Sequence, residues 1–377
     1  MKKLISLLLA LLLSVPALAA EPEQVLSVAS PYAFLMEKET GTVIWEKAAD
    51  TRVPPASVTK VMTLLLIVEA LERDELKLED TITASARASS MGGSQIYLEE
   101  GESMSLRDVL KSIVVSSAND AAVAVAEHMC GTEAAFAARM NQRAAELGMK
   151  NTHFNNCTGL FDDPDHYTTA RDVAIMSREL IRHESIKDYT QIWMDTVRDG
   201  KFGLSNTNKL LRRYEGCTGL KTGYTSKAGH CLAATAERDG TEYIAVIMGA
   251  ASSDERFQDA ATLLNYAFAN YALVQLTPPE AIAPVRVQVG EQGSFQPELR
   301  GRQKVLLPKN RVKDVEYGLE TVGSVSAPIT AGTEIGLLRA SLDGEPIAEL
   351  SLICPVDIRR RSPVALFFEL AAILYGE

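Results

Sequence analysis

Apolar residues recur along this chain with two periods, and the changes of period divide it. Tyr32 to Met36 and Thr42 to Glu46 flank Lys38-Glu39-Thr40-Gly41, a pattern that predicts a β-hairpin. Pro54-Pro55 interrupts it, and a helical segment follows from Val58 to Glu72. That segment is apolar on nearly every side (Val61, Met62, Leu64, Leu65, Leu66, Ile67, Val68, Leu71), as a buried central helix must be. Residues 105–200 read mostly as helices, including Ala-rich stretches at 118–129 and 133–147. From Gly219 the pattern turns to strands, at 219–225, 229–237 and 242–250. An amphipathic helix at about 253–273 then carries Phe257, Leu263, Leu264 and Phe268 on one side.

Thr277-Pro278-Pro279 and Pro284 mark a linker. Beyond it, Val285–Val289, Lys304–Leu307 and Ile335–Arg339 read as short strands among Gly and Pro. Residues 283–358 are therefore expected to form a small β-sandwich-like module, and it holds no candidate catalytic cluster.

Both ends point away from the cytoplasm. Lys2-Lys3, the apolar run Leu4 to Leu13 and Ala17-Leu18-Ala19 give residues 1–19 the three parts of a secretory signal peptide. At the other end Arg359-Arg360-Arg361 precede Val364 to Tyr375, apolar apart from Glu369. That stretch is too short to span a bilayer, and a basic cluster abutting it fits a segment, 360–377, lying on an anionic membrane surface. A net charge of −11 over 377 residues argues against a nucleic-acid partner. With 46% hydrophobic and 23% charged residues the chain is neither disordered nor a polytopic membrane protein. Cys130, Cys157, Cys217, Cys231 and Cys354 are odd in number and lack redox or metal spacing, so they read as single thiols. A hairpin turning near Ser226 would place Lys221, not Cys217, opposite Cys231.

Three short motifs carry the chemistry. Ser57-Val58-Thr59-Lys60 opens the buried helix, Ser117-Ala118-Asn119 lies between two helices, and Lys221-Thr222-Gly223 lies on the first late strand. Residues i and i+3 of a helix share a face, so Lys60 can reach the Ser57 hydroxyl. Serine is a weak nucleophile that needs a base, and a lysine serves if burial or a second cation keeps it neutral. The buried helix offers the first condition and Lys221 the second. Each motif alone is weak, since Ser-x-x-Lys and Ser-x-Asn each arise about once by chance in a chain of this length. Their order and their contexts carry the weight.

Around those motifs the chain resembles a family. Pro54-Pro55-Ala56-Ser57-Val58-Thr59-Lys60-Val61-Met62-Thr63, Ser117-Ala118-Asn119-Asp120-Ala121-Ala122 and Gly219-Leu220-Lys221-Thr222-Gly223-Tyr224-Thr225 are similar to the serine D-alanyl-D-alanine carboxypeptidases, the low-molecular-mass penicillin-binding proteins of bacteria. Leu147 to Phe154 and Tyr167 to Ala170 are similar as well. The resemblance implies an α+β fold of the DD-peptidase/β-lactamase type over 28–275, an antiparallel sheet with helices and an inserted helical lobe, followed by the small all-β domain. It implies a site in the cleft between lobes, with Ser57 as nucleophile, Lys60 as its base, Ser117 as proton relay and Asn119 holding Lys60 and the substrate backbone. Lys221 would supply positive charge, Thr222 would bind the terminal carboxylate, and the backbone N–H groups of Ser57 and Tyr224 would form the oxyanion hole beside Gly223. Arg256 resembles the family's carboxylate-binding arginine, although a solvated helix charge reads equally well. The substrate implied is a peptidoglycan stem peptide ending in D-Ala-D-Ala, with β-lactams as covalent inhibitors. No cofactor or metal is implied. Several relatives have His where this chain has Tyr224, a change expected to affect rate or preference more than reaction type.

Rival readings differ in particular residues. A serine β-lactamase would be expected to carry Ser-Asp-Asn in the middle motif, where this chain has Ala118, and a glutamate that activates water, absent from 160–170. A D,D-endopeptidase uses the same acyl transfer and is not separated by sequence. For a metallopeptidase, His128, His153, His166, His183 and His230 include no pair at helical ligand spacing. A penicillin-binding sensor or wall scaffold would not need all three motifs intact.

Overall fold

A computed structural model describes residues 26–278, 281–365, 367, 368 and 371. The expected signal peptide at 1–19 lies outside the described residues, as does most of Val364 to Tyr375.

The central sheet has five antiparallel strands: β1 (Tyr32–Glu37), β2 (Val43–Lys47), β3 (Cys217–Thr225), β4 (Gly229–Arg238) and β5 (Thr241–Ala250), ordered β2-β1-β5-β4-β3. The order places β3 at an edge, and some 170 residues separate it in sequence from the β1–β2 hairpin. Six helices of ten residues or more are present among the described residues: α1 (Lys60–Glu72), α2 (Leu106–Val115), α3 (Asn119–Cys130), α4 (Glu133–Glu146), α5 (Ala170–Leu180) and α6 (Ser253–Asn270). Ser105, Thr132, Thr169 and Ser252 accept backbone N–H groups at the starts of α2, α4, α5 and α6, which fixes where those helices begin.

Side-chain alternation splits the sheet between two cores. Ala33, Leu35, Leu232, Ala234, Ala245 and Ile247 face α6, where Phe257, Leu263, Leu264 and Ala267 meet them. Phe34, Met36, Ala233, Ile244, Val246 and Met248 face the opposite way, into a core shared with α1 and the helices inserted between β2 and β3. Every residue of α1 from Lys60 to Val68 is buried, and the helix packs against α5 and the inserted lobe. The fully apolar reading of this segment therefore holds.

Several sequence expectations need correction. The last long helix ends at Asn270, not 273, and Tyr271–Gln275 is a strand paired with Lys304–Pro308. Tyr and Val in that segment favour a strand once a partner is present. Residues 105–200 are less helical than expected. Residues 149–169 hold no helix, and Met194–Val197 pairs with Phe202–Ser205. Asn, Asp and Thr side chains in 151–168 bond to nearby backbone groups and compete with helix formation. The β3–β4 turn is centred one residue later than expected, so Cys231 faces Gly223 and Lys221 faces Ala233. Cys217 faces Ala236, and all five cysteines are free thiols.

Between Pro284 and Arg360 the described chain is strands and loops apart from the 3-10 segment Lys309–Asp314, and the described residues 363–365, 367, 368 and 371 are helical. A three-stranded and a four-stranded sheet each border a small apolar core.

Because Leu65 is fully buried in α1, Leu65→Ala is expected to lower unfolding stability by about 2–5 kcal/mol in thermal or denaturant unfolding. A loss under about 1 kcal/mol would mean that the helix is not the centre of the core.

Candidate active site

The site gathers at the junction of α1, the α2–α3 connection and β3. Ser57 belongs to a 3-10 turn, Ala56–Thr59, that leads into α1 at Lys60. The helix start expected at Val58 is thus a tighter turn, and Ser57 stands one turn outside the α-helix, half-buried. Ala56 takes φ +48°, a left-handed conformation rare for a residue with a Cβ.

Lys60 is fully buried. Its Nζ lies 3.0 Å from Ser57 Oγ, 2.6 Å from Asn119 Oδ1 and 3.0 Å from the carbonyl of Thr158. Burial pulls its pKa down to about 7, with Cys157 and Asp120 opposing that pull. The amide nitrogen of Asn119 donates to Gly92 O at 2.8 Å, so its oxygen is oriented toward the lysine.

Ser117 occupies the α2–α3 connection at φ +61° and accepts a hydrogen bond from Lys221 Nζ at 2.8 Å. Lys221 is 1% exposed and also donates to Thr222 O at 3.0 Å. Its pKa lies well below the ordinary lysine range, first from burial and then from repulsion by Lys60 and Arg256. The sequence reading gave burial as the first means of depressing Lys60 and Lys221 as the second. In the structure burial does that, and the repulsion is felt at Lys221. Two buried amines this closely coupled do not both stay charged near neutrality.

Gly223 explains the third motif's glycine. A Cβ there would stand 3.0 Å from Ser57 N, Val58 N and Pro55 O, so only glycine lets the edge strand run against the Ser57 turn. Thr222 is buried, and its hydroxyl is 2.5 Å from that of Thr207. Tyr224 projects its ring into solvent, 59% exposed, stacked on His230 at 4.4 Å.

Arg256 is not a solvated charge. It is 8% exposed, and one nitrogen donates to Gly223 O at 2.9 Å and Cys231 O at 3.2 Å, behind β3. Ser57, Lys60, Ser117, Asn119, Lys221, Thr222 and Gly223 are thus joined by direct contacts. Tyr224 marks the mouth, and Arg256 supports the strand from its back.

Sequence reasoning passed over several residues that hold this arrangement. The Thr158 carbonyl accepts a hydrogen bond from Lys60. Asn156 Oδ1 takes the N–H groups of Thr158 and Gly159, at 3.0 and 2.7 Å. Asp120 takes those of Ile96 and Leu98, both at 3.0 Å. The Asn-Asn pair and the Thr-Gly step within 155–159 were the available signals.

Away from the site, Glu69, Glu179 and His183 bring potential metal-binding atoms within 4.8 Å of one another. Arg143 already lies 2.7 Å from Glu69 and 2.8 Å from Glu179, supplying the positive charge that group would need.

Comparison with known proteins agrees with this geometry. Residues 18–252 match the family model described as D-alanyl-D-alanine carboxypeptidase, peptidase S11. Residues 280–360 match that of the penicillin-binding protein 5 C-terminal domain. The D-alanyl-D-alanine carboxypeptidase DacF of Bacillus subtilis is 41% identical over 333 residues, covering 87% of this chain and 85% of that protein. The crystal structure of penicillin-binding protein 5 from Haemophilus influenzae superposes with a TM-score of 0.76 at 30% identity, covering 89% of this chain and 98% of that one. Penicillin-binding protein D2 of Listeria monocytogenes, solved in an ampicillin-bound form, matches at TM-score 0.60 and 32% identity over 64% of this chain and 99% of its own. With the Ser57–Lys60 pair, the Ser117–Asn119 connection and the Lys221 edge strand brought together, and with these matches, the chain belongs to the D-alanyl-D-alanine carboxypeptidase family, peptidase S11.

Proposed function

We propose that this chain is a serine D-alanyl-D-alanine carboxypeptidase that removes the terminal D-alanine from peptidoglycan stem peptides and is acylated by β-lactams. The observation that carries the reading is the placement of Lys60 Nζ. A neutral lysine has two N–H donors and one lone pair. With Asn119 Oδ1 and Thr158 O taking the donors, the lone pair is left facing Ser57 Oγ at 3.0 Å.

Ser57 Oγ then attacks the carbonyl carbon of the penultimate D-alanine while its proton passes to Lys60 Nζ. Charge on the carbonyl oxygen is met by the N–H groups of Ser57 and Tyr224. Collapse breaks the C–N bond, and the leaving amine takes its proton through Ser117 Oγ. Water hydrolyses the resulting ester. The substrate's terminal carboxylate binds at Thr222 near Lys221. A negative charge there favours charged Lys221, whose repulsion in turn favours neutral Lys60, so substrate binding arms the base. Asn119 also orients the substrate backbone, and Arg256 acts by holding β3 rather than by touching substrate.

Slow release of acylated penicillin follows from the loop after Gly159. It holds no glutamate, and Asp162 Oδ1 is occupied by the Thr225 hydroxyl at 2.5 Å. Export and membrane attachment complete the reading. Arg359-Arg360-Arg361 lead into Val364, Phe367 and Phe368, which are 64%, 67% and 67% exposed. No helix among the described residues is long and apolar enough to cross a membrane. In this reading attachment is peripheral, on the extracytoplasmic face.

Three outcomes are expected. The wild type should release one D-alanine from a stem pentapeptide and be labelled by fluorescent penicillin with slow turnover, and Ser57→Ala should do neither. Labelling without D-alanine release, or rapid penicillin hydrolysis, would overturn the carboxypeptidase assignment. Since the base must be neutral, acylation should rise with pH through about 7 and fall about tenfold per unit below it. A flat profile between pH 5 and 8 would remove Lys60 from that role. Deleting 360–377 should release the protein from vesicles containing anionic lipid, and undiminished binding would refute the anchor.

A further inference from the structure

The turn that carries Ser57 is held from behind by the 153–168 loop, whose middle, residues 155–166, lies outside the stretches that carry the family resemblance. Two antiparallel bridges, Val53 with Thr168 and His153 with Tyr167, stitch this loop to itself and to the segment before Pro54. It touches the Ser57 turn at two places. Gly159, at φ +69°, lies so close to Ala56 that a Cβ would stand 1.8 Å from Ala56 O. His166, 2% exposed, brings Nε2 to 2.8 Å from Thr59 Oγ1, and that hydroxyl donates to Ala56 O at 2.8 Å.

The Thr59 side settles the tautomer. Nδ1 accepts the backbone N–H of Asn155 at 3.1 Å and faces the Asn156 amide nitrogen at 3.3 Å, with Asn155 Oδ1 also 2.9 Å away. The Thr59 hydroxyl donates its one proton to Ala56 O, so toward the ring it can only accept, which puts the N–H of the neutral ring on Nε2, pointing at Thr59. Burial keeps the ring neutral, pulling its pKa to about 4. A directed chain results, from His166 Nε2–H to Thr59 Oγ1–H to Ala56 O. It ends on the carbonyl of the residue with the left-handed backbone, next to the nucleophile.

We propose that His166 is a positioning residue for acylation: through Thr59 it holds the Ala56–Thr59 turn so that both the hydroxyl and the backbone N–H of Ser57 meet the substrate carbonyl. It is not a base for Ser57, because it is buried behind the turn with Nε2 committed to Thr59. The inference rests on Ser57 being the nucleophile.

The test uses near-isosteric variants of the full chain. His166→Gln keeps an N–H donor where Nε2 stands, and His166→Asn retains only a group near Nδ1. Thr59→Val removes the hydroxyl at nearly constant shape. The readouts are the acylation rate with benzylpenicillin, kcat and KM on a stem pentapeptide, and Tm. His166→Asn and Thr59→Val should each lose about tenfold or more in acylation and kcat with KM little changed. His166→Gln should restore most of the rate, and the double variant His166→Asn/Thr59→Val should fall no further than the worse single one. Wild-type acylation in His166→Asn, or additive losses in the double variant, would overturn the proposal. If His166→Asn does not fold, Thr59→Val is compared with Thr59→Ser, and equal rates in those two would overturn it as well. Peptide mapping of the wild-type adduct separates the two levels: label on a residue other than Ser57 sinks the underlying reading, whereas label on Ser57 with unaffected variants sinks only the role of His166.

Discussion

Everything else in the catalytic unit serves to keep one amine out of water. Lys60 is enclosed on every side, and taking it from its ordinary pKa of 10.5 to about 7 sets native stability against catalytic use. The unfolded chain holds a charged amine at neutral pH, so this group alone disfavours folding by about 5 kcal/mol there. The sign is definite. The penalty is absent above the unfolded value, grows as pH falls toward about 7 and is constant below it. The long apolar flank of α1, buried from Val61 to Val68, offsets the cost. Ser57, the proposed nucleophile, therefore stands at the entrance to the most apolar helix of the chain.

That helix was the most legible part of the sequence, because a run apolar on all sides has few other destinations. The strands of the late sheet were legible for a related reason, since the unbroken apolar run from Tyr243 to Met248 reports a strand buried on both faces. What failed was local. Tyr271 to Leu273 continue the helical pattern of α6 in sequence, and only pairing of Tyr271–Gln275 with Lys304–Pro308 makes a strand there. The β3–β4 register missed by two residues because Ser226, Lys227 and Ala228 do not mark the centre of their turn. Neither error moved a proposed site residue, because the motif fixes Lys221, Thr222 and Gly223 relative to one another whatever the register.

The site itself was legible in its charged and hydroxyl groups and illegible in its supports. Ser57 and Lys60 announce themselves by spacing. Thr158, Asn156 and His166 lie in a stretch without periodicity, and their roles come from carbonyl and amide geometry that no side-chain pattern encodes. Arg256 shows the same limit from the other side. A helix-borne arginine after Ser-Ser-Asp-Glu looks solvated in sequence, yet it is folded under the edge strand and bonded to its carbonyls.

The strand Tyr271–Gln275 has a consequence for the integrity of the whole chain. It follows α6 without an intervening residue and pairs along its length with a strand that lies beyond the proline-rich stretch. A protease that nicked the backbone at Thr277 or Pro278 would cut the covalent link without parting the two portions. Five residue pairs, from Tyr271 with Pro308 to Gln275 with Lys304, would still hold them. The composition break that reads as a linker is a loop spanning an existing seam.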